Sequence, residues 1–198
     1  MGSTSVSGDG ACPLPVGWKV GDLAIGVLYR NGTGLRPTPV AGWTTIGYTT
    51  SGTRAPLWTA CYRVLQAGDV SLQRGGGNGS SASAVSVYHG VRYSKSAQYD
   101  SGATAGTTLT IPAVTLLRPG SWVASVACAA VTIATGDGMY LSSRSDGGYG
   151  YIWAGDSFGP EASFDAGDSF AMGSSRWRSV AVEMFDEAEP SVIWTVPG

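Results

Sequence analysis

Charge is scarce in this chain: Asp, Glu, Lys and Arg make up 13% of 198 residues, about half the share usual in a globular domain. Lysine occurs only at Lys19 and Lys95, and the net charge is −2. The clustered basic surface that a phosphate backbone demands is therefore missing, which excludes nucleic acid as a partner. Cysteine is also sparse. Cys12, Cys61 and Cys128 are an odd number at wide spacing, and the last two lie in apolar strand-like runs, so buried free thiols are expected rather than a disulfide framework. No apolar run is long enough for a membrane-crossing helix, so no membrane partner is expected. Residues 1–7, MGSTSVS, have neither the basic nor the apolar region of a secretory signal. Two readings of that start stay open: a cytoplasmic product that later joins an extracellular particle, or a chain trimmed of its leader. No segment shows the 3.6-residue period of an amphipathic helix.

What is present is a β composition: 30 glycines, abundant Ser and Thr, and 43% hydrophobic residues. That hydrophobic content suffices for one sizeable domain with a real core. Residues 21–30, GDLAIGVLYR, form the central element. Leu23, Ile25, Val27 and Tyr29 alternate with Ala24, Gly26 and Leu28, so both faces can be covered, as in a central strand. About a hundred residues later Pro119 and Gly120 turn into SWVASVACAAV, residues 121–131, a second element of the same kind preceded by a similar lead-in. The spacing thus suggests an internal duplication.

Residues 1–16 read as an edge strand and an extended lead-in, stiffened by Pro13 and Pro15. Residues 17–186 read as the sandwich, with alternating runs at 43–50, 57–65, 82–87, 107–114 and 176–185. Residues 136–174 are Gly- and Asp-rich, with short strands and tight turns. About a dozen strands at this spacing indicate an all-β sandwich or barrel. Residues 187–198 form a C-terminal arm, where Asp186, Glu187, Glu189 and Pro190 separate Val192, Ile193, Trp194 and Val196 from the last strand. Such apolar side chains require a groove. The arm is expected to reach a neighbouring subunit and add a strand to an open sheet edge, with folding back on its own sandwich as the alternative.

The ordered set GDLAIGVLYRNGTG, AGWTTIG, LWTACYRVLQAGD, ASAVSVYHGV, TLTIPAVTLLRPGSWVASVA and RSVAVEMF resembles a family of bacteriophage virion proteins, structural or minor tail components. The resemblance spans about residues 15–186 and rests on the order of short motifs. It implies a single jelly-roll-like, antiparallel β-sandwich similar to lectin modules, on the exterior of a capsid or tail. It also implies synthesis in the host cytoplasm, contacts with other virion proteins, a homo-oligomer and no enzymatic activity. The alternative is a carbohydrate-binding module that contacts host-surface glycans; a third reading is a glycan-degrading enzyme.

The residues themselves offer few catalytic arrangements. His89 lies near Ser86 and Asp100 in sequence, but no nucleophile elbow accompanies it, and it is expected to end a strand and bond the adjoining loop. Asp137, Asp146, Asp156, Asp165 and Asp168 lie among glycines, as calcium-binding loops do, yet their spacing matches no calcium motif and Gly-Asp is an ordinary turn signal. No cofactor and no metal site is therefore assigned, with calcium the one ion considered. Glu161 with Asp165 or Asp168 would make a glycosidase pair only across a cleft. Among aromatics beside glycine loops, Trp43 and Trp58 are expected mostly to serve the core. Tyr149, Tyr151 and Trp153 are the candidates for contact with a ligand or partner.

Overall fold

A computed structural model describes residues 2–7, 10–30, 35–49, 57–75, 81–100, 105–131, 143–145, 151–157 and 169–186. Among these residues there is no helix; the chain is an antiparallel all-β sandwich. Its strands are β1 (Gly2–Ser7), β2 (Cys12–Pro13), β3 (Leu23–Arg30), β4 (Thr38–Pro39), β5 (Thr44–Tyr48), β6 (Leu57–Val64), β7 (Ser71–Leu72) and β8 (Arg74–Gly75). They continue as β9 (Ser81–Tyr88), β10 (Val91–Asp100), β11 (Gly106–Thr110), β12 (Trp122–Ala129), β13 (Ser143–Ser145), β14 (Tyr151–Asp156), β15 (Ser169–Ser175) and β16 (Trp177–Asp186).

Two five-stranded sheets carry the architecture, in the orders β1-β9-β3-β6-β5 and β10-β16-β12-β14-β13. Strand for strand the second order repeats the first, with β3 and β12 at the two centres. The pair β2-β7 accompanies the first sheet as β11-β15 accompanies the second. The duplication suggested by residues 21–30 and 120–131 is therefore structural, and the first half adds one small pair, β4-β8. Residues 91–100 connect the halves as a full strand whose backbone pairs along β16 from Val91 opposite Asp186 to Asp100 opposite Arg178, with a register shift between Tyr93 and Lys95. Residues 2–7 and 10–16 are built into the sandwich: β1 is the edge strand beside β9, and Cys12 and Leu14 are buried.

The halves pack face to face. β1 lies against β13, β9 against β14 and β5 against β10, so the two sheet orders run in opposite senses. β9 passes to β10 through His89 and Gly90 alone. Since β9 is antiparallel to β3, that turn lies where β3 begins. β10 is antiparallel to β16, and β16 to β12, so the same turn also lies where β12 begins. The halves are thus related by an approximate two-fold axis along the strands, and both lead-in loops emerge at one end, called the base here.

Alternation explains the layers. Leu23, Ile25, Val27 and Tyr29 of β3 meet Ala124, Val126 and Cys128 of β12 and Val180, Val182 and Met184 of β16 in the central core. The other face of the first sheet, with Ala24, Leu28, Cys61, Val85 and Val87, is covered by Cys12, Leu14, Leu65 and Leu72. On the second sheet Val123, Ala127, Ala129 and Ala181 lie under Leu109, Ile111, Val114, Phe170 and Met172. Each large aliphatic buried this way contributes about 1.5–3 kcal/mol, and three apolar layers explain how a chain with so few charges holds together. Gly26 marks a close approach: a Cβ there would lie 2.6 Å from Leu72 Cδ2. All three cysteines are free and buried, as expected.

Candidate functional site

The base is built from turns that polar side chains lock in place. Before β3, Asp22 N–H donates to Lys19 O at 3.1 Å, with Gly21 at φ 95°. Before β12, Ser121 N–H donates to Arg118 O at 3.3 Å, with Gly120 at φ 87°. Both have the hydrogen bond and the positive φ at the third residue that a type II turn requires. The second also has proline, Pro119, in the second position. The same turn therefore feeds the central strand of each half.

Each turn is tied to the partner strand by a carboxylate. In the first half Asp22, only 5% exposed, accepts the Lys19 N–H at 2.6 Å, and its Oδ2 lies 2.7 Å from His89 Nδ1. In the second half Glu183, on β16, is completely buried. Its Oε2 accepts the Ser94 hydroxyl at 2.7 Å; its Oε1 accepts the Ser121 hydroxyl at 2.8 Å and the Leu117 and Arg118 N–H groups at 2.6 and 3.4 Å. Burial works against the charge, but these four donors outweigh it and hold the carboxyl below the usual glutamate range. The Arg118 guanidinium also lies over the Phe185 ring, 4.4 Å from its centroid.

A third lock joins two further turns. Arg63 Nε donates to Asp69 Oδ2 at 2.7 Å, and that oxygen also accepts the Gln66 N–H at 2.8 Å. Arg63 Nη1 donates to Ala41 O at 3.3 Å and lies over Gly42, where any Cβ would strike it. Partial burial opposes the Asp69 charge, yet the Gln66 amide and Arg63 hold that carboxyl below its ordinary value. Asp156, where β14 reaches the base, behaves oppositely. It is 5% exposed and its Oδ2 has no hydrogen-bond partner, so burial pushes its carboxyl up.

These fixed turns expose aliphatic side chains. Val16 is 104% exposed, Val20 62%, Val64 44%, Val70 69% and Leu117 67%. All five sit at the base: Val16 and Val20 in the loop entering β3, Leu117 in the loop entering β12, Val64 at the end of β6 beside Leu23, and Val70 beside Leu14. Of the other exposed large apolar residues among those described, Leu35 and Tyr48 lie outside these turns and Val40 immediately precedes the Ala41–Gly42 turn held by Arg63. These five exposed aliphatic residues therefore share one end of the sandwich.

Tyr149 lies outside the described residues, as do the arm residues Val192, Ile193, Trp194 and Val196. Tyr151 and Trp153 are on β14, opposite Ala129 and Ala127 of β12, with their side chains outside the description. Trp58 is fully buried in the central core, and Trp43 is partly buried against the outer layer of the first sheet. Asp137, Asp146, Asp165, Asp168 and Glu161 lie outside the described residues. Among the described ones no group of three or more His, Cys, Asp or Glu could hold a metal ion. His89 pairs with Asp22 rather than with the loop that adjoins it, because β9 lies beside β3 and ends at the base. No family model, no curated protein and no solved structure matches the chain.

Proposed function

We propose that this chain is a non-enzymatic structural component of a bacteriophage virion, a minor tail or capsid decoration protein that contacts other virion proteins through its base. The observation that carries the proposal is the use of polar side chains at that end. Asp22, His89, Asp69, Arg63 and Glu183 fix one another or the backbone of turns, and this end presents Val16, Val20, Val64, Val70 and Leu117 to solvent beside Lys19, Gln66 and Arg118. Rigid turns carrying apolar groups suit a protein partner, because little conformational freedom is lost on contact. The motif order that resembles virion proteins and the antiparallel sandwich support the same reading. The jelly-roll connectivity implied by that resemblance fits each half taken alone: the chain moves between the large sheet and its small cover, from β1 to β2 to β3 and from β10 to β11 to β12. A fold with an approximate two-fold axis also suits a symmetric homo-oligomer on the outside of a particle.

The test is to purify particles from the source phage, identify the chain by mass spectrometry and apply an amine-reactive cross-linker. Lys19 is exposed at the base, so cross-links from Lys19 to another virion protein or a second copy are expected. A chain missing from the particles, or one that binds a glycan array with Lys19 unlinked in particles, overturns the proposal in favour of a carbohydrate-binding module.

A further inference from the structure

The acids whose side chains are described, Asp22, Asp69, Asp156, Glu183 and Asp186, all stand at the base. At the far end the central core closes over hydrogen-bond donors instead. Tyr29 and Cys128 lie six residues beyond the starts of β3 and β12, and these strands face each other across the sandwich, as β6 faces β16. Strand pairing then fixes the neighbours: Trp58 lies beside Tyr29, and Arg178 beside Cys128. All four are on the inner face, because Leu23, Ile25 and Val27 precede Tyr29 at period two and Val180, Val182 and Met184 follow Arg178. Trp58 therefore faces Arg178, and Tyr29 faces Cys128.

Two of these groups have nothing to bond. Tyr29 is 0% exposed and Trp58 1%, and neither the Tyr29 hydroxyl nor the Trp58 Nε1–H has a hydrogen-bond partner. A buried polar group is costly when left unbonded, and an indole N–H can only donate. Burial, and then the Cys128 thiol across from it, push the Tyr29 hydroxyl up, so it too stays a donor. Arg178, 5% exposed, brings a cation to the same layer, where its Nη1 donates to Trp177 O at 2.8 Å. A guanidinium has five N–H donors and no acceptor. The layer thus calls for an acceptor, and beside a cation a negative one is favoured. Because both rings are sealed from solvent, that acceptor is the size of an ion.

We propose that the far end of the central core binds a small monovalent anion, chloride in size, held by the Tyr29 hydroxyl, the Trp58 indole N–H and the Arg178 guanidinium. The ion ties the first sheet to the second at the end that the carboxylate locks of the base do not reach. The site is independent of the base and of the virion role.

The experiment compares thermal midpoints of the full chain in sodium chloride and sodium gluconate at equal ionic strength, for wild type and Y29F. Chloride is expected to raise the wild-type midpoint as a ligand of the folded state does, with half-saturation at least tenfold higher in Y29F. In gluconate, whose anion is too large for the site, Y29F should match or exceed wild type, because it deletes a hydroxyl that has no partner. In chloride it should fall below. A difference of one sign in both salts overturns the proposal. Crystals of the wild-type chain soaked in bromide give a reading that needs no variant: an anomalous peak within hydrogen-bond reach of Tyr29 Oη and Trp58 Nε1 is expected. A water in that place, or bromide only elsewhere, counts against it. Asp100 pairs with Arg178 along β10 and β16, with its side chain outside the description. If its carboxylate is the acceptor, wild type will not distinguish the two salts while D100N will, and the proposal fails.

Discussion

Replacing Glu183 with Gln removes one charge and leaves nearly the same shape, so it isolates what the carboxylate contributes. Ser94, Ser121 and the Leu117 N–H lie within 2.6–2.8 Å of it. Hydrogen bonds to a charged group contribute about 1.5–3 kcal/mol each, against roughly 0.5–1.5 for neutral ones. Three such bonds would weaken by about 3 kcal/mol in all, and relief from burying the charge offsets part of that. A net loss of roughly 1–2 kcal/mol at neutral pH is expected, read in urea as a lower midpoint with unchanged slope. The sign with pH follows from the lowered carboxyl. A group whose folded pKa is depressed stabilises fully above its unfolded value, about 4.3, and loses that contribution as pH falls through the folded value. The gap between wild type and E183Q should therefore be full at pH 7 and close below about pH 4. Equal stabilities at pH 7, or a gap that persists undiminished at pH 3, would refute the argument that Glu183 is held as an anion by its donors.

Asp156 gives the opposite sign. Its carboxyl is pushed up by burial and Oδ2 has no partner, so the folded state favours the proton. D156N should be more stable than wild type by about 1 kcal/mol at neutral pH, and the advantage should vanish below about pH 4; thermal melts across that range decide it. G21A should lose roughly 1–2 kcal/mol, because Gly21 has φ 95° with open space around it, so the strain is purely conformational. An unchanged denaturation midpoint would mean that the turn before β3 is not of this kind. Cys61 is fully buried and its thiol is pushed up by burial, so in native buffer it should label with thiol reagents only as fast as the protein opens. Rapid labelling would place β6 outside the core.

The central strand was readable in advance because period two is visible locally: Leu23, Ile25, Val27 and Tyr29 on one side, Ala24, Gly26 and Leu28 on the other. The resemblance between residues 21–30 and 120–131 announced the repeat, and the apolar runs around Cys61 and Cys128 announced their burial. The base was not readable, because its parts meet only through strand pairing. Asp22 and His89 are 67 residues apart in sequence, and Ser94 and Glu183 are 89 apart; neither spacing is a motif. One signal was present in Glu183 itself, a lone acid in the apolar alternation WRSVAVEMF, where burial would demand several donors. Asp22 was concealed by its role in a Gly-Asp turn. The exposed valines were concealed too, since an apolar residue in a loop declares itself only when the fold gathers several at one end.

The contact role of the base is tested most directly by incorporation. On the proposed virion role, phage carrying V20D with V64D should yield a chain that folds, with wild-type circular dichroism, because both side chains are exposed. The same chain should be depleted at least tenfold in purified particles relative to wild type, since a buried, unpaired charge disrupts an apolar interface. Incorporation at the wild-type level by a folded double variant would contradict the assignment of the base as the contact face.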